Sequence, residues 1–80
     1  NAGDKAVVKV EGSKLRNSPN LSSDGVITRL AAGERVRILE DGGLSSGYRW
    51  YKVRLLDKEI EGYIAGVLLR KDYKEEGLTK

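Results

Sequence analysis

The sequence predicts an all-β protein, a small barrel of five to six short antiparallel strands with a single 3-10 turn near the C-terminus. Three observations predict it. Apolar and polar residues alternate with a period of two in several separate runs, most clearly between Arg49 and Ala65. Ten glycines and a single proline punctuate the chain in a way that suits many short strands and turns. Eighty residues are too few for two cores, and closing one sheet on itself disposes of exposed edges.

Taken in order, residues 1–5 are polar and read as a flexible lead-in, residues 6–73 as the barrel, and residues 74–80 as an exit linker. Ala6–Val10 is a β-rich run and gives the first strand. Glu11-Gly12-Ser13-Lys14 breaks it, and Leu15-Arg16 begins another extended piece. From Asn17 to Gly25 the chain is a polar loop: Pro19 fixes its own φ and keeps Ser18 out of the helical region, while Leu21 is an apolar anchor. Val26–Leu30 is strand-like, Ala31–Glu34 turns the chain, and Arg35–Glu40 alternates with Val36 and Ile38 inward. Asp41–Gly47 is expected to be a long, flexible hairpin loop. Ala65–Leu69 suits one helical turn feeding a last strand through Leu69, Lys71 and Tyr73.

The centre is Trp50–Leu55. Tyr51, Val53 and Leu55 share one face; Trp50, Lys52 and Arg54 share the other, which the charges predict to be wet. A polar turn at Asp57-Lys58 leads to a second alternating run through Ile60, Gly62 and Ile64. If those two residues form the loop, Leu55 opposes Ile60, Tyr51 opposes Ile64 and Arg54 opposes Glu61, core against core and opposite charges together. The expected core is Val8, Leu15, Leu30, Val36, Ile38, Tyr51, Val53, Ile60, Ile64 and Leu68 or Leu69.

Composition narrows the chemistry. Without cysteine there is no disulfide or thiolate site, and without histidine the commonest metal ligand and general base is missing. No serine has a lysine at a spacing that suggests a nucleophile and its base. Gly42, Gly43 and Gly47 precede no helix that could hold a phosphate, and Glu40, Asp41 and Asp57 are too scattered for a calcium loop. Neither an enzyme, a metal nor a cofactor is expected. The 15 basic and 12 acidic side chains are interspersed, which is a solubilising surface rather than the clustered basic face of a nucleic-acid reader. No apolar run reaches the roughly 20 residues needed to span a bilayer.

Several segments resemble one family. Leu15-Arg16-Asn17-Ser18-Pro19 is similar to the signature that opens bacterial SH3 domains. Val26–Gly33, Arg35–Leu39, Trp50-Tyr51-Lys52-Val53, Glu61-Gly62-Tyr63-Ile64 and Val67-Leu68-Leu69 resemble its later motifs, in the same order. The sequence departs from the pattern at Ser18, where the family has glycine, and at Tyr63, where it has tryptophan. The Leu56–Ile60 turn and the Asp41–Tyr48 loop are also longer than usual. The resemblance implies an SH3-like barrel acting as a non-catalytic module of an extracytoplasmic protein. Its partner would be a peptidoglycan peptide or another cell-surface polymer. The alternative is a structural or lid role against a neighbouring catalytic domain of the same protein. A monomer is expected. Proline-rich ligands are not expected, because the proline and the tyrosine that line the eukaryotic groove beside its tryptophan correspond to Ala65 and Leu68.

The candidate ligand-binding residues are Trp50, Tyr48, Asn17, Arg16 and Tyr63. A groove is expected between the Asn17–Gly25 and Asp41–Tyr48 loops. Trp50 is either its flat stacking floor or a cap over the end of the core. Arg16 and Asn17 would supply directional donors, although Arg16 serves equally as a tie across its loop. Tyr48 and Tyr63 would cover the barrel with their hydroxyls in water.

Overall fold

A computed structural model describes residues 3–21 and 25–71. The alternating runs become strands β1 (Lys5–Val8), β2 (Ser13–Arg16), β3 (Val26–Leu30), β4 (Arg35–Ser45), β5 (Tyr48–Leu55), β6 (Glu61–Ala65) and β7 (Leu69–Lys71). A 3-10 turn over Gly66–Leu68 joins the last two. Every pairing is antiparallel, and the strands form one sheet in the order β3-β2-β6-β5-β4-β1-β7. The sheet curls into an SH3-like half-barrel. Seven strands replace the expected five to six, because pieces as short as β2 and the three-residue β7 pair as strands in their own right.

Alternation and register agree at the centre. Tyr51 opposes Ile64 and Arg54 opposes Glu61, while Leu55 N–H donates to the Ile60 carbonyl at 3.0 Å. The interior face collects Ala6, Val8, Leu15, Leu30, Val36, Val53, Leu55 and Ile64 into one buried cluster. Ile38, Tyr51, Ile60, Leu68 and Leu69 pack against it, half-buried. At the corner where β2 crosses β6 there is room only for glycine. A Cβ on Gly62 would lie 2.7 Å from the Arg16 carbonyl oxygen and 2.8 Å from Leu15 Cγ.

Two stretches expected to be loose are paired. Gly3, placed in the flexible lead-in, donates its N–H to the Ile38 carbonyl at 2.6 Å, and Ile38 N–H donates to the Asp4 carbonyl at 2.8 Å. The Arg37 guanidinium also donates to the Gly3 carbonyl at 3.0 Å. Asp41–Ser45, expected as loop, continues β4 against β5 as far as the Ser45–Tyr48 pair. The real loop is Ser46-Gly47, with φ of 55° and 83°. Both central residues are left-handed, as the tightest hairpin turns require. Register shifts in β4, between Ile38 and Glu40 and between Asp41 and Gly43, leave Leu39 and Gly42 as extra residues. Such bulges strengthen local twist. The polar, glycine-rich composition that reads as loop is the material of a bulged strand. Tyr73 and the 74–80 linker lie outside the described residues.

Gly62→Ala should destabilise the domain by about 1–3 kcal/mol through overpacking at the β2–β6 corner, measured by chemical denaturation. Ile64→Ala should cost about 2–5 kcal/mol as a core truncation in the same assay.

Candidate functional site

The outer face of the β5–β6 pair changes character along its length. At one end Arg54 meets Glu61 at 3.0 Å and Glu59 at 3.9 Å. Next along β5, Lys52 lies 3.9 Å from Glu40 of β4. At the other end Trp50 stands opposite Ala65, and both are buried. A groove of about 260 Å³ opens at this apolar end. Trp50 and Ala65 lie along it, with Tyr48 from the start of β5 and Val67 and Leu68 from the 3-10 turn. Opposite are Val10 and Gly12, the β2 residues Ser13, Lys14 and Arg16, and Leu21 of the following loop.

Local geometry fixes these walls. Ser13 Oγ donates to the Val10 carbonyl at 2.7 Å and holds the turn between β1 and β2. At the hairpin, Asp41 Oδ1 accepts the Gly43 N–H at 2.7 Å while its other oxygen accepts from Arg49 at 2.6 Å. That one carboxylate braces the second bulge on both sides. Exposed ion pairs of this kind each contribute under about 1 kcal/mol, so they bias hairpin geometry rather than hold the fold.

The indole is not the open platform that the alternation predicts. Trp50 is only 1% exposed, although it lies outside the main core cluster. Its Nε1–H donates to the Ser45 carbonyl at 2.8 Å, and its ring meets Tyr48 edge-on at a centroid distance of 6.2 Å. The physical reason is the extended hairpin. Because β4 runs on to Ser45, its backbone reaches the indole and satisfies the one polar atom that would otherwise resist burial. Trp50 therefore seals the base of the groove, and its nitrogen is already engaged.

The other expected site residues separate. Tyr48 and Arg16 lie along the groove with Trp50. Arg16 is buried and engaged with other groups, which fits the tie across its loop. Asn17 stands at the loop neck: its N–H donates to the Gly25 carbonyl at 2.7 Å, and its Oδ1 occupies the space a Gly25 side chain would need. Tyr63 is half-buried beside Gly42, where a Cβ would come within 3.1 Å of its ring. Neither residue is among the groove's lining.

Sequence reasoning missed Val10 and Val67 as groove walls. Val10 reads as the end of a buried strand and Val67 as part of an apolar run, yet they are 43% and 57% exposed. Leu21 and Tyr48, at 51% and 37%, complete a cluster of exposed large apolar side chains around one depression. Among the described residues, no group of three or more His, Cys, Asp or Glu could hold a metal ion. No helix among them is long and apolar enough to cross a membrane.

The described residues thus form an SH3-like half-barrel with an apolar surface groove. The family comparison makes this specific: the model for the bacterial SH3 domain matches residues 11–70, three quarters of the chain, and the chain belongs to that family. Its members are binding and accessory domains, not catalytic in themselves, and typically extracytoplasmic. No curated protein and no solved structure matches the chain.

As the sole tryptophan, Trp50 reports directly on this arrangement. Its fluorescence should be blue-shifted and poorly quenched by acrylamide in the folded domain. Trp50→Ala should cost about 3–5 kcal/mol in denaturant titrations, the loss expected of a buried indole.

Proposed function

We propose that this domain is a non-catalytic targeting module that anchors a larger exported protein to peptidoglycan or another cell-surface polymer through the groove beside Trp50. One observation carries the reading. Val10, Leu21, Tyr48 and Val67, four of the large apolar side chains left exposed, lie around a single depression. Exposed apolar side chains scattered singly need no explanation, whereas a cluster on a groove marks a recognition surface. Family membership supplies the setting, since bacterial SH3 domains are often cell-wall binding or accessory modules. Trp50 acts as the rigid base, Arg16 ties the loop beside it, and Tyr48 and the aliphatic walls make the contacts. Asn17 and Tyr63 shape the loop neck and the hairpin root.

Leu44, 73% exposed on the hairpin, favours a second arrangement in which a neighbouring domain of the same protein packs over the hairpin and groove. Co-sedimentation with purified cell walls separates the two. Anchoring predicts that the domain pellets with walls and that Tyr48→Ala with Val67→Ser releases it while leaving the melting temperature nearly unchanged. A folded domain that stays in the supernatant with walls of several chemotypes rejects anchoring.

A further inference from the structure

Charges that are interspersed in the sequence are sorted by the register of the sheet. Lys5 of β1, Arg37 of β4 and Arg54 of β5 are direct partners in one cross-strand row. Arg70 of β7, Val7 of β1 and Arg35 of β4 form the row beside it. Alternation with the buried Ala6, Val36 and Leu55 puts both rows on the outer face. Lys5, Arg35, Arg37, Arg54 and Arg70 thus share one side of the adjacent strands β5, β4, β1 and β7. The described carboxylates lie at the borders of this face. Asp4 and Glu34 stand just ahead of β1 and β4, Glu59 and Glu61 meet Arg54, and Glu40 lies against Lys52. None of the five cations lines the groove beside Trp50.

Arg37 is the exposed centre of the face. Lys5 and Arg54 flank it across the ladder, and Arg35 lies two residues back on the same side. Its guanidinium donates to the Gly3 carbonyl at 3.0 Å, and among the described residues no carboxylate meets it. Arg54 is engaged by Glu59 and Glu61, and Lys5, Arg35 and Arg70 are engaged by other groups, so Arg37 is the cation most open to a ligand. Like charges at opposed positions destabilise a sheet, and a bound anion removes that cost. We propose that this face is a second binding site, separate from the groove, for an extended polyol-phosphate polymer whose phosphodiester groups lie along the two rows with Arg37 at their centre. Neighbouring strands are about 4.8 Å apart, so the row from Lys5 to Arg54 spans about 10 Å, the reach of a chain rather than of a single anion. All but one of the five cations are arginines, whose planar fork matches a pair of phosphate oxygens. No aromatic residue occupies an outward position in either row, so the bases of a nucleic acid would find nothing to stack on. Beside the rows Leu56, bonded through its N–H to the Arg35 carbonyl, is a lone exposed aliphatic and too small an apolar surface to hold a bilayer.

The test is a titration of the isotopically labelled 80-residue chain, followed by its amide resonances, with three polyanions. These are a glycerol-phosphate polymer, polygalacturonate and oligothymidylate. The glycerol-phosphate polymer should shift the Lys5, Arg37 and Arg70 resonances saturably, and its affinity should fall about tenfold or more between roughly 50 and 200 mM salt. Arg37→Gln and Arg70→Gln should each weaken it about fivefold and flatten the salt dependence. Both side chains are exposed, so the melting temperature should hold. The groove variant Tyr48→Ala with Val67→Ser should bind the polymer as the parent does, which keeps this site apart from the anchoring groove. Loss of polymer binding in that variant places the polymer in the groove and overturns the proposal. Wild-type affinity in Arg37→Gln overturns it too, as does no binding of the glycerol-phosphate polymer at roughly 50 mM salt. Polygalacturonate or oligothymidylate bound as tightly as the glycerol-phosphate polymer overturns the assignment of the ligand.

Discussion

The burial of one indole on the wrong side of a strand organises the functional end of this domain. Trp50 belongs by parity to the outer face of the sheet, yet it is sealed there by the hairpin that begins and ends beside it. The bond from Nε1 to the Ser45 carbonyl satisfies the ring's only donor. It also ties the far part of β4 back toward the barrel. The β5 side of that hairpin, through Tyr48 and Trp50, lines the groove. A ring with an unsatisfied nitrogen would have to stay wet.

Around this fixed point the polar outer surface is zoned. Toward the β5–β6 turn, cations and carboxylates are interleaved, and the pairs are too exposed to contribute much individually. Beside Trp50 the charges thin out, aliphatic side chains take over, and the carboxylates are absent from the lining. A mildly basic chain of nearly balanced composition therefore presents a local site of one sign against apolar walls, which net charge alone does not reveal.

The barrel itself was legible because its interior follows strict alternation. Val36, Val53 and Ile64 sit where a period of two places them, and the Tyr51–Ile64 and Arg54–Glu61 pairs follow from assuming a two-residue turn. What alternation could not convey is a second layer of burial. It sorts side chains into two faces, but it does not say that the end of a neighbouring strand reaches the outer one, as the Ser45 carbonyl of β4 reaches the Trp50 indole. The second register shift in β4 rests on Asp41, Gly42 and Gly43, residues whose composition announces a loop. The site was half legible for the same reason. Tyr48 and Arg16 were found because they flank recognisable motifs. Val10 and Val67 look like core, and only the curl of the sheet and the 3-10 turn bring them to the rim of one groove.

The place of β1 bears on how the chain assembles. β4, β5 and β6 form a meander of neighbours in sequence, so their contacts close short loops. β1 lies between β4 and β7, and its two pairings join the start of the chain to segments about thirty and sixty residues later. The entropy of closing those large loops is recovered only once both flanking strands exist. The meander therefore closes the shortest loops, while the N-terminal strand gains both of its partners only when β4 and β7 are in place.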